Sequence, residues 1–190
     1  MSQPTSELQA DPAFKKPDVI ARRTRLREFQ AQLVERMQTA RSGEDAHHSQ
    51  LGVLMGGKRW LLDLQSAGEI VSVGAITKVP LTQPWFLGLT NIRGNLISVI
   101  DFAHFHGEAP AVIDKDSRVV AFAPALSFNS GLLVSRVLGL RNTAEMQVET
   151  DEQAGAPWSG KRYVDRESHT WTELDLAAVV QDSQFLHVGL

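Results

Sequence analysis

From residue 51 onward, apolar positions come in short blocks interrupted by Gly, Pro, Asn and Asp, the pattern of many brief strands. The blocks predict strands over 51–55, 59–64, 69–73, 76–79, 85–92, 96–102, 118–123, 131–135, 137–141 and 170–174. Gly56-Gly57-Lys58 and Arg93-Gly94-Asn95 carry the turn chemistry that joins neighbouring strands. Residues 107–115 and 149–161 read as loops, and 175–184 as a short closing helix with Leu176, Val179 and Val180 turned inward. Short strands at this spacing, with no long helices between them, point to a mainly β domain of barrels or a sandwich. They argue against a doubly wound α/β enzyme. Periodicity alone leaves one larger barrel and two small ones open.

The first fifty residues follow a different rule. Residues 1–17 hold three prolines and no periodicity, and read as a weakly ordered arm. Asp18 is placed to cap a helix, and Ile20, Leu26, Phe29, Leu33, Val34 and Met37 then recur at helical spacing. An amphipathic helix is therefore expected over 18–41, with Arg22, Arg23, Arg25, Arg27 and Arg36 on its basic outer face. Ser42 and Gly43 end it, and the remaining residues to 50 form a polar linker. The domain plan is thus an arm (1–17), a basic helix with linker (18–50) and a β domain (51–190).

Charge sharpens this division. The formal net charge is −3, but residues 15–41 carry eight basic and three acidic side chains, while residues 42–190 carry eleven basic and seventeen acidic. A near-neutral total argues against a general nucleic-acid binder, and one tyrosine with 7% aromatics leaves few stacking platforms for single strands. No apolar run is long enough to span a membrane as a helix, and the polar N-terminus lacks a signal-peptide core. The absence of cysteine excludes disulfide scaffolds, thiol catalysis and Cys-ligated metals, and fits a reducing compartment.

Candidate chemistry is sparse. Gly52 to Lys58 and Gly155 to Lys161 imitate a phosphate-binding loop, but Arg59 and Arg162 stand where a metal-binding hydroxyl is needed. Both read as glycine-rich turns. Asp101, His104, His106 and Glu108 form a dense group of potential metal ligands, with the two histidines expected on one face of a strand. The alternative is a strand running into an exposed polar loop. Asp165, Arg166, Glu167 and His169 read as a charged hairpin tip, and no nucleophile elbow is present. The expectation is a non-enzyme without metal or cofactor. A small metal-dependent hydrolase using the 101–106 region is the remote alternative.

One stretch is more specific. Trp85-Phe86-Leu87-Gly88-Leu89-Thr90-Asn91-Ile92-Arg93-Gly94, followed by Val99-Ile100-Asp101-Phe102, resembles the signature of the CheW-like domain family. Upstream, residues 60–70 end in the family's Glu-Ile pair, here Glu69-Ile70. Downstream, Gly131-Leu132-Leu133-Val134, Gly160 and residues 171–180 resemble its later strands and closing helix. The similarity runs in order over about residues 51–185. Pro84-Trp85 and the long N-terminal extension look more like the PilI-type adaptors of pilus-linked systems than the short flagellar form. Ser98 and Ser135 depart from the family's usual Pro and Asp.

The resemblance implies two packed five-stranded SH3-like β-barrels and a non-catalytic, cytoplasmic adaptor recruited to membrane-associated receptor arrays. Such a protein couples the cytoplasmic tip of a methyl-accepting chemoreceptor to a CheA-like histidine kinase, here in type IV pilus twitching motility or, alternatively, in flagellar chemotaxis or another two-component pathway. It implies partner-binding residues at Glu69, Gly88, Asn91, Arg93 and Gly94. Exposed barrel edges and a groove between the barrels are the expected surfaces. For Arg93, an internal ion pair with Glu69 or Asp101 is the competing reading, and Glu69 itself has the alternative of simple solvation.

Overall fold

A computed structural model describes residues 48–149 and 155–190. The arm and the basic helix expected before residue 42 lie outside the described residues. The strands are β1 (Ser49–Met55), β2 (Lys58–Asp63), β3 (Ala67–Ser72), β4 (Phe86–Ile92), β5 (Asn95–Ile100), β6 (Arg118–Phe122), β7 (Ser130–Val134), β8 (Arg136–Asn142), β9 (Gln147–Glu149), β10 (Ser159–Val164) and β11 (Thr170–Leu174). Among the described residues three one-turn helices accompany them: α1 (Phe102–Phe105), α2 (Leu176–Val179) and α3 (Ser183–Leu186).

The strands form two sheets, ordered β8-β1-β2-β11-β10-β9 and β3-β6-β7-β5-β4. In each sheet a single stretch of chain reaches both edges. In the first, β8 and β9 are separated only by a 3-10 turn (Thr143–Glu145), so one bent segment pairs with β1 at one edge and with β10 at the other. The six strands are thus the expected five-stranded barrel with one strand broken by the turn. In the second, the chain leaving β3 crosses to β4, where Thr77 and Leu89 exchange backbone hydrogen bonds of 2.8 and 2.9 Å.

Alternating side chains feed three cores. Trp60 and Leu62 face the cluster between the barrels, while Leu61 turns into the first barrel with Tyr163 and Trp171. In the same way Val120, Phe122, Leu132 and Val134 face the shared cluster, and Val119, Ala121 and Leu133 fill the second barrel. Strands buried on both faces have no polar side, which is why they read as continuous apolar runs.

The first barrel is partly polar inside, and this hid β10. SGKRYV (residues 159–164) buries only Tyr163, so no apolar block marks it; 159–161 fall in the expected loop and 162–164 in no expected element. Tyr163 donates to Glu173 (2.9 Å), which also accepts from Gln50 Nε2 (2.9 Å) and the Lys161 N–H (3.1 Å). Burial, followed by the bond and charge of Glu173, pushes the phenol up to about 12. Because it is the sole tyrosine, near-ultraviolet absorbance should follow its ionisation directly, with a midpoint near 12 in the folded chain. In Glu173→Gln it should fall toward the ordinary value of about 10. A raised folded value means the contribution to stability is intact below about pH 10 and is lost as pH rises toward the folded midpoint.

The remaining differences from expectation are local. Residues 76–79 contribute one bridge at Thr77 rather than a strand. The closing helix is two single turns, each capped by an aspartate: Asp175 accepts from Ala177 and Ala178, and Asp182 from Gln184 and Phe185. Leu176 and Val179 are buried as expected, and Val180 is half-buried. Ser98, in place of a common proline, donates its N–H to Asn129 (2.9 Å), a bond that proline could not make.

Candidate functional site

The β4–β5 hairpin closes on the pair Ile92 and Asn95, leaving Arg93 and Gly94 as a two-residue turn. Their φ values are +49° and +89°, the geometry of a type I′ turn. Asn91 supports it by accepting the Gly94 N–H at 2.9 Å. A left-handed conformation costs an ordinary L-residue about 1–2 kcal/mol, and Asn or Gly would stand here more easily than Arg. The strained turn sets Arg93 opposite β3, where its Nε donates to Glu69 Oε1 at 2.9 Å. Arg93 is 79% exposed and Glu69 34%.

This ion pair crosses a seam in the second barrel. At one point the crossing segment beyond β3 is joined to β4 through the Thr77–Leu89 bridge, and Thr90 Oγ1 fastens the same segment by donating to the Ala75 carbonyl at 2.9 Å. Elsewhere the seam is a surface cleft of about 310 Å³, whose walls include Glu69, Asn91 and Arg93. Its floor is taken from the barrel core: Val71, Ile76, Ile92 and Val119. Four of the five expected site residues, Glu69, Asn91, Arg93 and Gly94, therefore meet at one exposed corner.

Gly88 belongs elsewhere. It is buried at a register shift in β4, with φ +130°. A Cβ there would lie 2.2 Å from the Thr77 carbonyl oxygen. The backbone that approaches this glycine is the chain's own crossing segment, the one that closes the barrel.

The other candidates resolve into structural roles. Asp101 is buried at the end of β5; one oxygen caps α1 through the His104 N–H (3.1 Å) and the other holds the Ala111 N–H (2.7 Å). His104 lies in α1 and His106 caps its C-terminus, so they do not share a strand face. His106 packs among Trp60, Phe102 and Trp158, and Glu108 pairs with Lys58. Sequence reasoning missed Asp101 as a buried brace, although its position directly before α1 is a capping signal. The Gly52 to Lys58 segment is β1 with a hairpin turn at Gly56 and Gly57.

At the β10–β11 turn, Asp165, Glu167 and His169 bring their ligand atoms within 4.8 Å of one another. The Asp165 oxygens already accept from the Trp171 indole (2.8 Å) and from the Glu167 and His169 N–H groups (2.9 Å each). Burial raises this carboxyl, but these bonds outweigh it and hold it down at about 2. Arg166 pairs with Glu145 at 3.3 Å.

Two fused β-barrels with a charged exposed turn beside an apolar cleft define a binding module. The CheW-like domain family matches residues 50–184, and the chain belongs to it. Similar proteins include the protein PilI of Pseudomonas aeruginosa, 27% identical over 146 residues, covering 75% of this chain and 80% of that protein. The protein FrzA of Myxococcus xanthus is 30% identical over 73 residues, covering 38% of this chain and 45% of FrzA. The crystal structure of the scaffolding protein TtCheW from Thermoanaerobacter tengcongensis shares the fold, with a TM-score of 0.58 at 21% identity over 68% of this chain and 84% of that one. The chain is a non-catalytic chemosensory adaptor, and its partners belong to the chemosensory array. Among the described residues no helix is long and apolar enough to cross a membrane.

Proposed function

We propose that this adaptor couples the cytoplasmic tip of a chemoreceptor to a CheA-like histidine kinase in the chemosensory system of type IV pilus motility, recruited from the cytoplasm to membrane-associated receptor arrays. Glu69, Asn91, Arg93 and Gly94 form its partner surface, and Gly88 serves that surface by closing the barrel beneath it. The observation that carries the site is Arg93: an exposed guanidinium held in a left-handed turn that Asn or Gly would occupy at lower cost. Its ion pair with Glu69 is exposed and contributes about 0–1 kcal/mol, too little to explain the residue by stability alone. The similarity to PilI over most of both chains supports the pilus pathway over the flagellar one.

Arg93→Asn separates fold from recognition. The variant should keep or slightly raise the melting temperature, because Asn tolerates the turn. Its affinity for the kinase regulatory domain or for a receptor-tip fragment should fall about tenfold or more, equivalent to about 1.4 kcal/mol. Unchanged affinity for both, measured by calorimetry, would remove the turn from the partner surface. Loss of twitching with intact swimming on deletion of the gene is the matching test of pathway.

A further inference from the structure

The joint between the barrels contains a histidine that the adaptor reading does not use. His106 leaves α1 and enters an aromatic cluster in which its ring lies 5.7 Å from Trp60, 5.5 Å from Phe102 and 5.8 Å from Trp158. Trp60 belongs to β2, Trp158 immediately precedes β10, and Phe102 opens α1, directly after Asp101 at the end of β5. The cluster therefore ties the first barrel to the second. It is tightly built: Phe102 meets Trp158 edge-on at 4.9 Å and Trp60 at 5.6 Å.

Two polar atoms in this cluster have no hydrogen-bond partner among the described residues, His106 Nε2 and Trp60 Nε1, and both are buried. Trp60 is only 5% exposed. The indole N–H can only donate. A neutral imidazole presenting Nε2 as an acceptor leaves one modest deficit, whereas a protonated ring adds a second buried donor and a charge with no acceptor beside it. The charged groups around the ring are Lys58 from β2, Asp101 at the start of α1 and Glu108 just beyond it. Arg59 of the same strand turns to Trp171, and the described residues before Trp158, 155–157, are not titratable.

We propose that His106 is a proton-operated latch on the joint between the two barrels: the neutral ring completes the aromatic cluster, and the protonated ring leaves it, loosening Trp60 and Trp158 from Phe102. Burial first, then the Lys58 cation, holds the imidazole below its ordinary range; its own backbone hydrogen bond, Glu108 and Asp101 oppose this and are outweighed. The folded chain therefore binds fewer protons at this site than the opened one. Stability of the joint is complete above the exposed-histidine value of about 6.5 and is lost as pH falls toward the lower folded value. Surfaces on different barrels would then be coupled rigidly near neutral pH and less rigidly in acid.

The test uses the full chain. The ring of His106 is titrated by NMR, and hydrogen exchange of the Trp60 indole N–H, corrected for its intrinsic rate, is followed over the same range. The indole hydrogen exchanges only when the cluster opens. The opening equilibrium should rise up to about tenfold for each pH unit between about 6.5 and the folded value of His106. His106→Phe, which keeps a ring without a proton site, should abolish that dependence, and His106→Gln should do the same if the larger ring perturbs folding. Lys58→Gln should move the His106 midpoint upward. A His106 midpoint at or above that of an exposed histidine, or the same exchange profile in wild type and His106→Phe, would overturn the proposal.

Discussion

Gly88→Ala should destabilise the domain by about 4 kcal/mol, combining backbone strain at a positive φ with severe overpacking. Folded domains have about 5–15 kcal/mol in total, so this single methyl should remove from about a quarter to about four-fifths of the stability and be read as a large fall in the denaturant midpoint. The cause is specific. The added Cβ would stand 2.2 Å from the Thr77 carbonyl oxygen, 2.8 Å from its carbon and 3.0 Å from Lys78 Cα, all backbone atoms that cannot rotate away. Thr77 cannot retreat without breaking its paired hydrogen bonds to Leu89, the contact that joins the crossing segment to β4. Gly94→Ala is the control. It also has a positive φ, but a Cβ there meets nothing within 4 Å, so the cost should be about 1 kcal/mol. Lost partner binding in a Gly88 variant would therefore report an opened barrel rather than a missing contact. Binding tests belong at Arg93.

Asp101→Ala should cost about 3 kcal/mol, measured by equilibrium unfolding. The side chain is 1% exposed, and its loss strands two N–H groups, those of His104 and Ala111. The first caps α1, which carries Phe102 into the cluster between the barrels. The second pins the middle of the loop from 107 to 117, whose two ends are tied to the first barrel by Glu108 with Lys58 and by Asp116 with Arg136. Asp101→Asn retains only one acceptor oxygen and should lose about half as much. Amide exchange at Ala111 should accelerate in both variants. Unchanged stability in Asp101→Ala would show that water satisfies these donors.

Much of this architecture is legible in order along the chain. The apolar blocks locate most strands, and the turn chemistry at Gly56-Gly57 and Arg93-Gly94 locates two hairpins. The motif around Asn91-Ile92-Arg93-Gly94 marks the exposed turn. What eludes the pattern has physical causes. β10 is missed because its barrel interior is polar at Glu173 and Gln50, which removes the apolar signal. The one-turn helix α1 is missed because Phe102 to Phe105 continues an apolar strand and is converted only by the Asp101 cap.

The candidate site divides in the same way. Glu69 and Arg93 are each recognisable, but their ion pair joins residues distant in the chain across a barrel seam. Gly88 carries the same motif weight as its neighbours, yet its partner is Thr77 on the crossing segment. Alternation and turn propensity are local properties, so the amino-acid order by itself determined the strands, the hairpins and the family signature. Barrel closure, the cleft, the brace at Asp101 and the aromatic seat of His106 depend on contacts between residues far apart in sequence. Only the packing of the two barrels decided them, because a side chain's burial and partners follow from which distant backbone comes to lie against it.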